Sequence, residues 1–220
     1  MPTSTVENYL KAIHTLGSNS TEPVAIGRIA SELALTPGTV TTMMKHLAGR
    51  GWVDYFPRRG ARLTDAGETA ALGVLRRHRL IELFLVEVMG LDWGEVHDEA
   101  EELEHVISDR LLARMDEILG HPSADPHGAP IPDAQGKMPV QVGASLAKAS
   151  PGSFKLIQVS EDDGSLLNWL SKHGLRPGTC FELVSHDEPA GILSLRIEGV
   201  TADTPLSATA AGHLLVERLG

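Results

Sequence analysis

Residues 24–64 have the sequence VAIGRIASELALTPGTVTTMMKHLAGRGWVDYFPRRGARLT, and this stretch decides the fold of the N-terminal part. Apolar residues at spacings of three and four predict a helix over 24–33. Thr36 is a typical helix N-cap, and Pro37 occupies the first helical position, where its missing N–H costs nothing. The helix that begins there is expected to run to about Arg50. Two short helices joined by a tight turn predict a helix-turn-helix.

The end of the same stretch predicts a β-hairpin. Residues 52–56 and 61–63 are β-rich, and residues 57–60 have the composition of a turn between them. One more helix precedes the stretch and stops at Gly17, with a single apolar face formed by Val6, Leu10, Ile13 and Leu16. Three helices followed by a hairpin are the layout of a winged helix-turn-helix, which reads duplex DNA.

Residues 65–119 are predicted to be helical throughout. A first helix is expected from position 65 to about position 90, and a second from about position 92 to position 119, with a glycine as its stop. The second helix has an apolar stripe at spacings of three and four, formed by Leu103, Ile107, Leu111, Met115 and Ile118. Such a stripe suits a dimer interface as well as a core.

The C-terminal part changes character. Residues 121–140 contain five prolines and no helical period, which predicts a linker or an ordered extended segment. Short β-rich runs follow, with one short helix over 165–173; the predicted strands are 154–159, 180–184, 193–197 and 214–219. This pattern predicts a small barrel of the SH3-like kind.

The chain is therefore predicted to be an α+β protein of three parts. The winged helix-turn-helix occupies residues 1–73. A helical domain, whose apolar stripe suits dimerisation and which includes the Pro-rich linker, occupies residues 74–140. The SH3-like barrel occupies residues 141–220. No stretch is apolar enough for a membrane span, the start of the chain lacks an export signal, and Cys180 is the single cysteine, so a reducing cytoplasm is expected.

Charge is distributed unevenly along the 220 residues, whose formal net charge is −10. Residues 24–64 contain six Lys or Arg against two acids, whereas residues 65–120 contain fourteen acids against five Lys or Arg. The first segment is therefore suited to phosphates and the second to cations, although a solvated acidic helix would have the same composition.

The predicted DNA-reading residues lie on the second helix of the helix-turn-helix and on the hairpin. Hydroxyls at the start of that helix can bond phosphates or bases, and arginines at a hairpin tip can grip phosphates or the minor groove. The candidates are Arg28, Thr36, Gly38, Thr39, Thr42, Lys45, Arg58, Arg59 and Arg62.

A possible metal centre is indicated by His and Glu at helical spacing. His78 and Glu82 are four residues apart on one predicted helix, and the next carries a set that shares one face: His97, Glu101, Glu104 and His105. Imidazole and carboxylate converging on one face can chelate a first-row divalent ion. Chance spacing in an acidic, solvated helix remains the alternative. The other histidines, His127 among them, lack partner spacing and are expected to be structural.

Two motifs carry a resemblance to a known family. They are HRLIELFLVEVMGLDWGEVHDEAEELEHVISDRL over residues 78–111 and DPHGAPIP over residues 125–132. With VENYLKAIHTL near the start, they make nearly the whole chain resemble the diphtheria toxin repressor family, which includes iron-dependent regulators and manganese transport regulators. The resemblance implies a dimeric transcription repressor, not an enzyme, that binds a palindromic DNA operator when loaded with metal, with two ions per subunit.

The resemblance also implies the ligands of two sites. The primary site corresponds to Asn8, Glu101, Glu104 and His105. The ancillary site corresponds to His78, Glu82 and His97, to which the segment SEDDGS would add Glu161, Asp163 and Ser165. Because the primary ligands are divided between the first helix and the dimerisation helix, a shared ion would fix the orientation of the DNA-binding domain.

Two departures from the iron-type pattern favour Mn²⁺. Glu101 stands where iron-type members carry Cys, and Asn8 where they carry Met, so hard oxygen replaces sulfur at both positions. Fe²⁺ is the alternative activator, and Co²⁺, Ni²⁺ or Zn²⁺ are expected to activate in vitro because affinity follows the Irving–Williams order. Two other functions remain open at this point: a winged-helix regulator without metal control, and a metallohydrolase, for which no nucleophile motif is present.

Overall fold

A computed structural model describes residues 3–18, 22–160, 164–200 and 202–219 of the chain. It divides into two compact units. The first consists of Met1–Arg77 with Pro132–Lys137, and the second of His78–Ile131 with Met138–Gly220. Within the described ranges, no helix combines the length and the apolar character that crossing a bilayer requires.

The first unit is a winged helix-turn-helix. Its elements are α1 (Ser4–Gly17), α2 (Ile26–Glu32), α3 (Pro37–Gly49), β1 (Val53–Phe56) and β2 (Gly60–Leu63). The strands pair antiparallel. Thr36 caps α3 as the sequence predicts, because its hydroxyl oxygen accepts a hydrogen bond from the N–H of Thr39 at 3.2 Å.

The helix predicted over 24–33 is shorter than expected at its start. Val24 exchanges two backbone hydrogen bonds with Ala61, of 2.8 and 2.9 Å, and so extends the hairpin instead of joining α2. The buried Val24 side chain packs with both helices of the helix-turn-helix in one apolar core, whose fully buried members include Leu10, Ile29, Val40, Met44 and Leu47. This core holds the wing against the helices.

The helix α4 (Asp65–Glu87) follows the wing. Its start is fixed by Thr64, whose hydroxyl accepts from the N–H of Gly67 at 3.2 Å. The single helix expected from about position 92 to 119 is wrong: the structure has α5 (Val96–Leu103) and α6 (Asp109–Ile118) with a turn between them. Ser108 explains the break, because its side chain caps α6 by accepting from the N–H of Leu111.

The apolar stripe on these two helices is only partly buried. Ile107 and Met115 pack against the small core of Ile81 and Leu85. Three other members of the stripe are 37, 50 and 50% exposed, namely Leu103, Leu111 and Ile118. The face of α6 is therefore available for a partner, and a partner interface is one of the two uses that the sequence allows.

The C-terminal residues form one antiparallel sheet with the order β3-β8-β4-β5-β6-β7. Its strands are β3 (Ala144–Ser145), β4 (Gly152–Val159), β5 (Cys180–Asp187), β6 (Ile192–Ile197), β7 (Thr204–Ser207) and β8 (Leu214–Arg218). A 3₁₀ turn (Leu146–Lys148), α7 (Gly164–Lys172) and α8 (Ala208–Gly212) complete it. The sequence predicts β4, β5, β6, β8 and α7 but misses the two shortest strands and α8, which carry too few residues for a periodic signal.

The Pro-rich segment is ordered where it meets this sheet. The backbone oxygen of His127 accepts from the N–H of Val159 at the end of β4, at 2.9 Å. Gly128 has φ +84°, and a Cβ at this position would overlap the backbone oxygen of Ile157. A residue without a side chain is required at 128 for both reasons. The segment is thus attached to the sheet at His127.

Candidate metal centre

His78 lies at the centre of a cluster of buried donors. One turn further along α4, the Oε1 of Glu82 is 3.0 Å from the Nε2 of His78, and both side chains are at most 6% exposed. On the other side of the ring, Nδ1 lies 2.7 Å from the Oε2 of Glu104. The imidazole therefore joins a carboxylate of its own helix to one that follows α5.

Two donors on α5 surround the same ring. His97 stacks edge-on against His78 with ring centroids 5.0 Å apart, and its Nδ1 is 3.5 Å from the Oε1 of Glu82. Glu101 lies one turn later, with its Oε1 3.9 Å from His78 Nδ1 and 3.8 Å from His97 Nε2. His78, His97 and Glu101 each offer one ligand atom within 4.8 Å of the others, a spacing that one ion can bridge.

A second group consists of Glu101, Glu104 and His105, again with ligand atoms within 4.8 Å. The Glu104 side chain is fully buried, and its Oε1 is 3.6 Å from the Nε2 of His105. Glu104 and His105 follow the end of α5 in an αR turn, so the backbone there still continues the helical path. Three of the four predicted primary ligands are thus brought together.

A third group contains two residues that the sequence analysis does not identify. Glu82, Asp125 and His127 are all buried and offer ligand atoms within 4.8 Å of one another. The Nδ1 of His127 is 3.9 Å from the Oε2 of Glu82. The signal was available in DPHG, where an acid and a histidine two residues apart flank a proline. Spacing within helices does not detect it, because Asp125 and His127 lie in a turn, which is closed by a hydrogen bond from the N–H of Gly128 to the backbone oxygen of Asp125.

The two buried carboxyls of this group have opposite pKa shifts. Burial alone raises the pKa of Glu82, but hydrogen bonds from His78 and His97 and the nearby imidazole charges hold it well below its usual range. Burial, reinforced by the charge of Glu82, raises the pKa of Asp125 to about 6. The site therefore concentrates negative charge that a cation would relieve.

Backbone contacts hold Asp125 in position. Its Oδ1 accepts from the N–H groups of His127 and Ala129, at 2.8 and 2.9 Å. Its Oδ2 lies 3.5 Å from the Nε of Arg79 on α4. These contacts preorganise the carboxylate before any ion arrives, which lowers the cost of ordering a ligand.

The remaining predicted ligands lie elsewhere or outside the described residues. Glu161 and Asp163 belong to the part of the chain that the structure does not describe. Ser165 is exposed in the first turn of α7. Asn8 is on α1, in the first unit, and its Oδ1 is buried with no hydrogen-bond partner among the described residues.

The donors fit a divalent metal of the first transition row. Every member of the three groups is a carboxylate or an imidazole, and three of the carboxylates, those of Glu82, Glu104 and Asp125, are buried. Cys180, the one thiol of the chain, is exposed on the C-terminal sheet and belongs to none of the groups. The chemistry of the set is that of oxygen and nitrogen ligands.

The predicted DNA-reading residues all lie on the surface of the first unit. Each of the nine is exposed: Arg28, Thr36, Gly38, Thr39, Thr42, Lys45, Arg58, Arg59 and Arg62. At the hairpin tip, the Arg59 guanidinium pairs with Glu22 at 3.0 Å and lies 5.8 Å from the ring centre of Phe56. Exposed pairs of this kind are weak, so a phosphate can replace the carboxylate.

Three family models match the chain in sequence. "Iron dependent repressor, N-terminal DNA binding domain" matches residues 1–61, "Iron dependent repressor, metal binding and dimerisation domain" matches residues 64–133, and "FeoA domain" matches residues 144–218. The matches confirm the predicted order of a DNA-binding part, a metal-binding dimerisation part and an SH3-like part.

Individual relatives agree with these matches. The chain is 35% identical to the iron-dependent repressor IdeR of Mycobacterium leprae over 71% of its own residues and 65% of that protein. It is 32% identical to the diphtheria toxin repressor of Corynebacterium efficiens over 82% and 83% of the two chains. A solved manganese-dependent transcriptional repressor in complex with manganese superposes with a TM-score of 0.90 at 36% identity, over 97% of this chain and all of that one.

Proposed function

The chain belongs to the iron-dependent repressor family of metal-dependent, DNA-binding transcription repressors, and from that premise we propose that Mn²⁺ is the ion that activates it. The observation that carries the proposal is the donor chemistry of Glu101, Glu104 and His105, which is two oxygens and one nitrogen without sulfur. Mn²⁺ prefers such ligands more than the softer ions of the series do. Fe²⁺ is the second candidate, because relatives named iron-dependent share much of this sequence.

We further propose two ions per subunit. One is held by Glu101, Glu104 and His105. Asn8 stays the fourth ligand that the sequence predicts. The other is held by the donors around Glu82. These combine the predicted His78, Glu82 and His97 with Asp125 and His127. Glu161, Asp163 and Ser165 remain predictions for this second site.

In this proposal, activation depends mainly on how the side chains around the ion are ordered. A bound ion supplies positive charge. Glu82, Glu101 and Glu104 would then repel one another less, and His78, whose two nitrogens face Glu104 and Glu82, would be held between them. We propose that this ordering shifts the population of the dimer toward the arrangement in which its two winged helices match a palindromic DNA operator. The proposed location is the cytoplasm.

The partner of this arrangement is proposed to be a second copy of the chain. The dimerisation family model covers α6, whose Leu111 and Ile118 are each 50% exposed. Large apolar side chains on one helix face are typical of an interface between subunits. A homodimer supplies the two winged helices that a palindrome needs.

Replacing Glu101 by cysteine is expected to shift metal preference away from Mn²⁺. A thiolate favours softer ions, so the ratio of half-activating Co²⁺ to half-activating Mn²⁺ should fall by roughly tenfold or more. The measurement is fluorescence anisotropy of metal-free protein titrated with buffered ions, using duplex DNA that the parent protein selects from a random library with Mn²⁺ or, without oxygen, with Fe²⁺. Co²⁺ serves as the air-stable comparison, and Fe²⁺ is tested without oxygen.

The matched control is Glu99→Cys, which introduces the same thiol on an exposed position of α5 outside the donor groups. It should leave the ion ratio unchanged. Equal ratios for Glu101→Cys and the parent would contradict the ligand role of Glu101. If Fe²⁺ but not Mn²⁺ activates the parent protein, Fe²⁺ is the activating ion. A parent that binds this DNA equally after chelation would reject metal control.

Arg59→Ala is expected to weaken DNA binding without changing which sequence is bound. A contact with phosphate contributes through counterion release, so the slope of log affinity against log salt should shrink by about 1. The same anisotropy measurement at several salt concentrations gives the slope. Arg196→Ala is the control, because Arg196 is an exposed arginine paired with two acids on the C-terminal sheet. If the salt dependence of DNA affinity is unchanged in Arg59→Ala, Arg59 does not contact the DNA phosphates.

A further inference from the structure

Trp93 has two separate sets of neighbours. It lies in the loop between α4 and α5, among the metal-binding residues of the sequence. Its side chain is 1% exposed, and it is part of the hydrophobic core of the C-terminal sheet, with Leu167, Leu170 and Leu175 among its members. A residue of the metal-binding segment is therefore anchored in the core of the neighbouring domain.

The same residue holds the imidazole of His127. Nε2–H of His127 donates to the backbone oxygen of Trp93 at 2.7 Å. The two rings also stack, with centroids 5.5 Å apart and an interplanar angle of 21°. The guanidinium carbon of Arg176, in the loop after α7, lies 5.2 Å from the centre of the indole. The imidazole thus rests on a ring that is itself fixed by the C-terminal domain.

This contact determines which nitrogen of His127 can bind metal. A backbone carbonyl only accepts hydrogen bonds, so Nε2 must carry the proton and the neutral ring keeps its lone pair on Nδ1. Nδ1 is the atom that lies 3.9 Å from Glu82 and shares the donor group with Asp125. A histidine ligand oriented in this way needs no tautomer change before an ion binds.

The loop of Trp93 also meets α7 directly. The N–H of Gly94 donates to the side chain of Asp92 at 2.8 Å, which closes a tight turn. A Cβ added at Gly164, the first residue of α7, would lie 2.9 Å from the backbone oxygen of Gly94. The backbones of Gly94 and Gly164 are thus in direct contact. This contact on one side, and the buried indole of Trp93 on the other, hold the Trp93 carbonyl in place.

We propose that Trp93 is the positioning residue of the His127 ligand, its backbone oxygen selecting the nitrogen that faces the ion and its indole tying that imidazole to the core of the C-terminal domain. The proposal rests on the proposed metal-dependent function, and it adds a residue that contacts no ion. It makes the metal affinity of this group depend on how well the C-terminal domain is packed. Loss of such a supporting contact typically costs 10–100-fold in metal affinity.

Two substitutions separate positioning from core filling. Trp93→Phe keeps an aromatic ring beside His127, and it removes an indole N–H that is buried with no hydrogen-bond partner in the described part of the chain. It should leave Mn²⁺ affinity within about twofold of the parent. Trp93→Leu keeps an apolar side chain in the core but removes the stacking surface. It should weaken the binding of one Mn²⁺ per subunit by roughly tenfold.

The test uses the full-length chain and two readouts. Long-range ¹H–¹⁵N NMR of the metal-free protein reports the His127 tautomer, with the signal assigned by its loss in His127→Ala. Isothermal titration with Mn²⁺ gives the affinities of the parent, both Trp93 variants, His127→Ala and the double variant Trp93→Leu/His127→Ala. We expect Nε2–H in the parent and in Trp93→Phe, and mixed tautomers in Trp93→Leu. In the His127→Ala background, Trp93→Leu should have no further effect on affinity.

Several results would overturn the proposal. They are a parent His127 protonated on Nδ1, unchanged affinity in Trp93→Leu, or an equal loss of affinity with and without His127. The parent spectrum decides the first point even if Trp93→Leu does not fold. Because the tautomer is measured without metal or DNA, a protein that Mn²⁺ fails to activate would contradict the proposed function and leave this result standing.

Discussion

Replacing Glu104 by glutamine is expected to abolish metal-dependent operator binding, with a loss of more than about 100-fold in DNA affinity at Mn²⁺ concentrations that saturate the parent. The Glu104 carboxylate is fully buried, and its two oxygens face His78 at 2.7 Å and His105 at 3.6 Å. Glutamine has the same size but carries no charge, so it fills the space without supplying an anionic ligand. His105→Ala should have a similar effect.

Two measurements make this result interpretable. Anisotropy with the selected duplex gives DNA affinity, and elemental analysis after gel filtration gives the number of Mn²⁺ ions retained. Glu102→Gln is the matched control, since Glu102 is an exposed acid of α5. It should bind ions and DNA as the parent does. Parental DNA binding by a folded Glu104→Gln protein would show that Glu104 is not a ligand, whatever the behaviour of Glu101.

Gly128→Ala is expected to remove one bound ion per subunit and to destabilise the fold. A Cβ at this position overlaps the backbone oxygen of Ile157 in β4, and the φ of +84° is unfavourable for any residue with a side chain. The chain must move away from β4, and Asp125 and His127 move with it. The substitution therefore displaces the proposed ligand atoms of Asp125 and His127, although it alters neither residue.

Gly136→Ala separates strain from displacement. Gly136 has a similar φ of +79°, but a Cβ there would meet only a leucine methyl group at 3.9 Å. It should lower the free energy of unfolding by about 1 kcal/mol and leave the ion count unchanged. Thermal unfolding and ion counting on both variants make the comparison. A Gly128→Ala protein that retains every ion would argue against Asp125 and His127 as ligands.

Helical periodicity explains how much of the centre could be predicted from the sequence. His78 and Glu82 are one turn apart on α4, and His97 and Glu101 are one turn apart on α5, so spacing alone places each pair on one face. The N-cap at Thr36 could also be predicted, because a threonine followed by proline is a typical start of a helix. These patterns involve residues that are close together in the chain, so a single sequence is enough to recognise them.

The remaining features depend on contacts that spacing does not encode. Asp125 and His127 reach Glu82 from a turn whose backbone is hydrogen-bonded to the end of β4. The turn that separates α5 from α6 depends on Ser108 competing for a backbone N–H in the middle of an otherwise good helical pattern. Periodicity predicted a continuous helix there, because the apolar stripe keeps its phase across the turn.

The close approach of Gly94 and Gly164 has a consequence for how such proteins can be recombined. The two stretches meet through bare main chain, so each constrains the other even though about 70 residues separate them. A chimera that takes its last domain from a distant homologue inherits whatever residue that donor carries at the position of Gly164. With any larger residue there, the graft lifts the loop of Trp93. A donated C-terminal domain therefore needs a glycine at the position of Gly164.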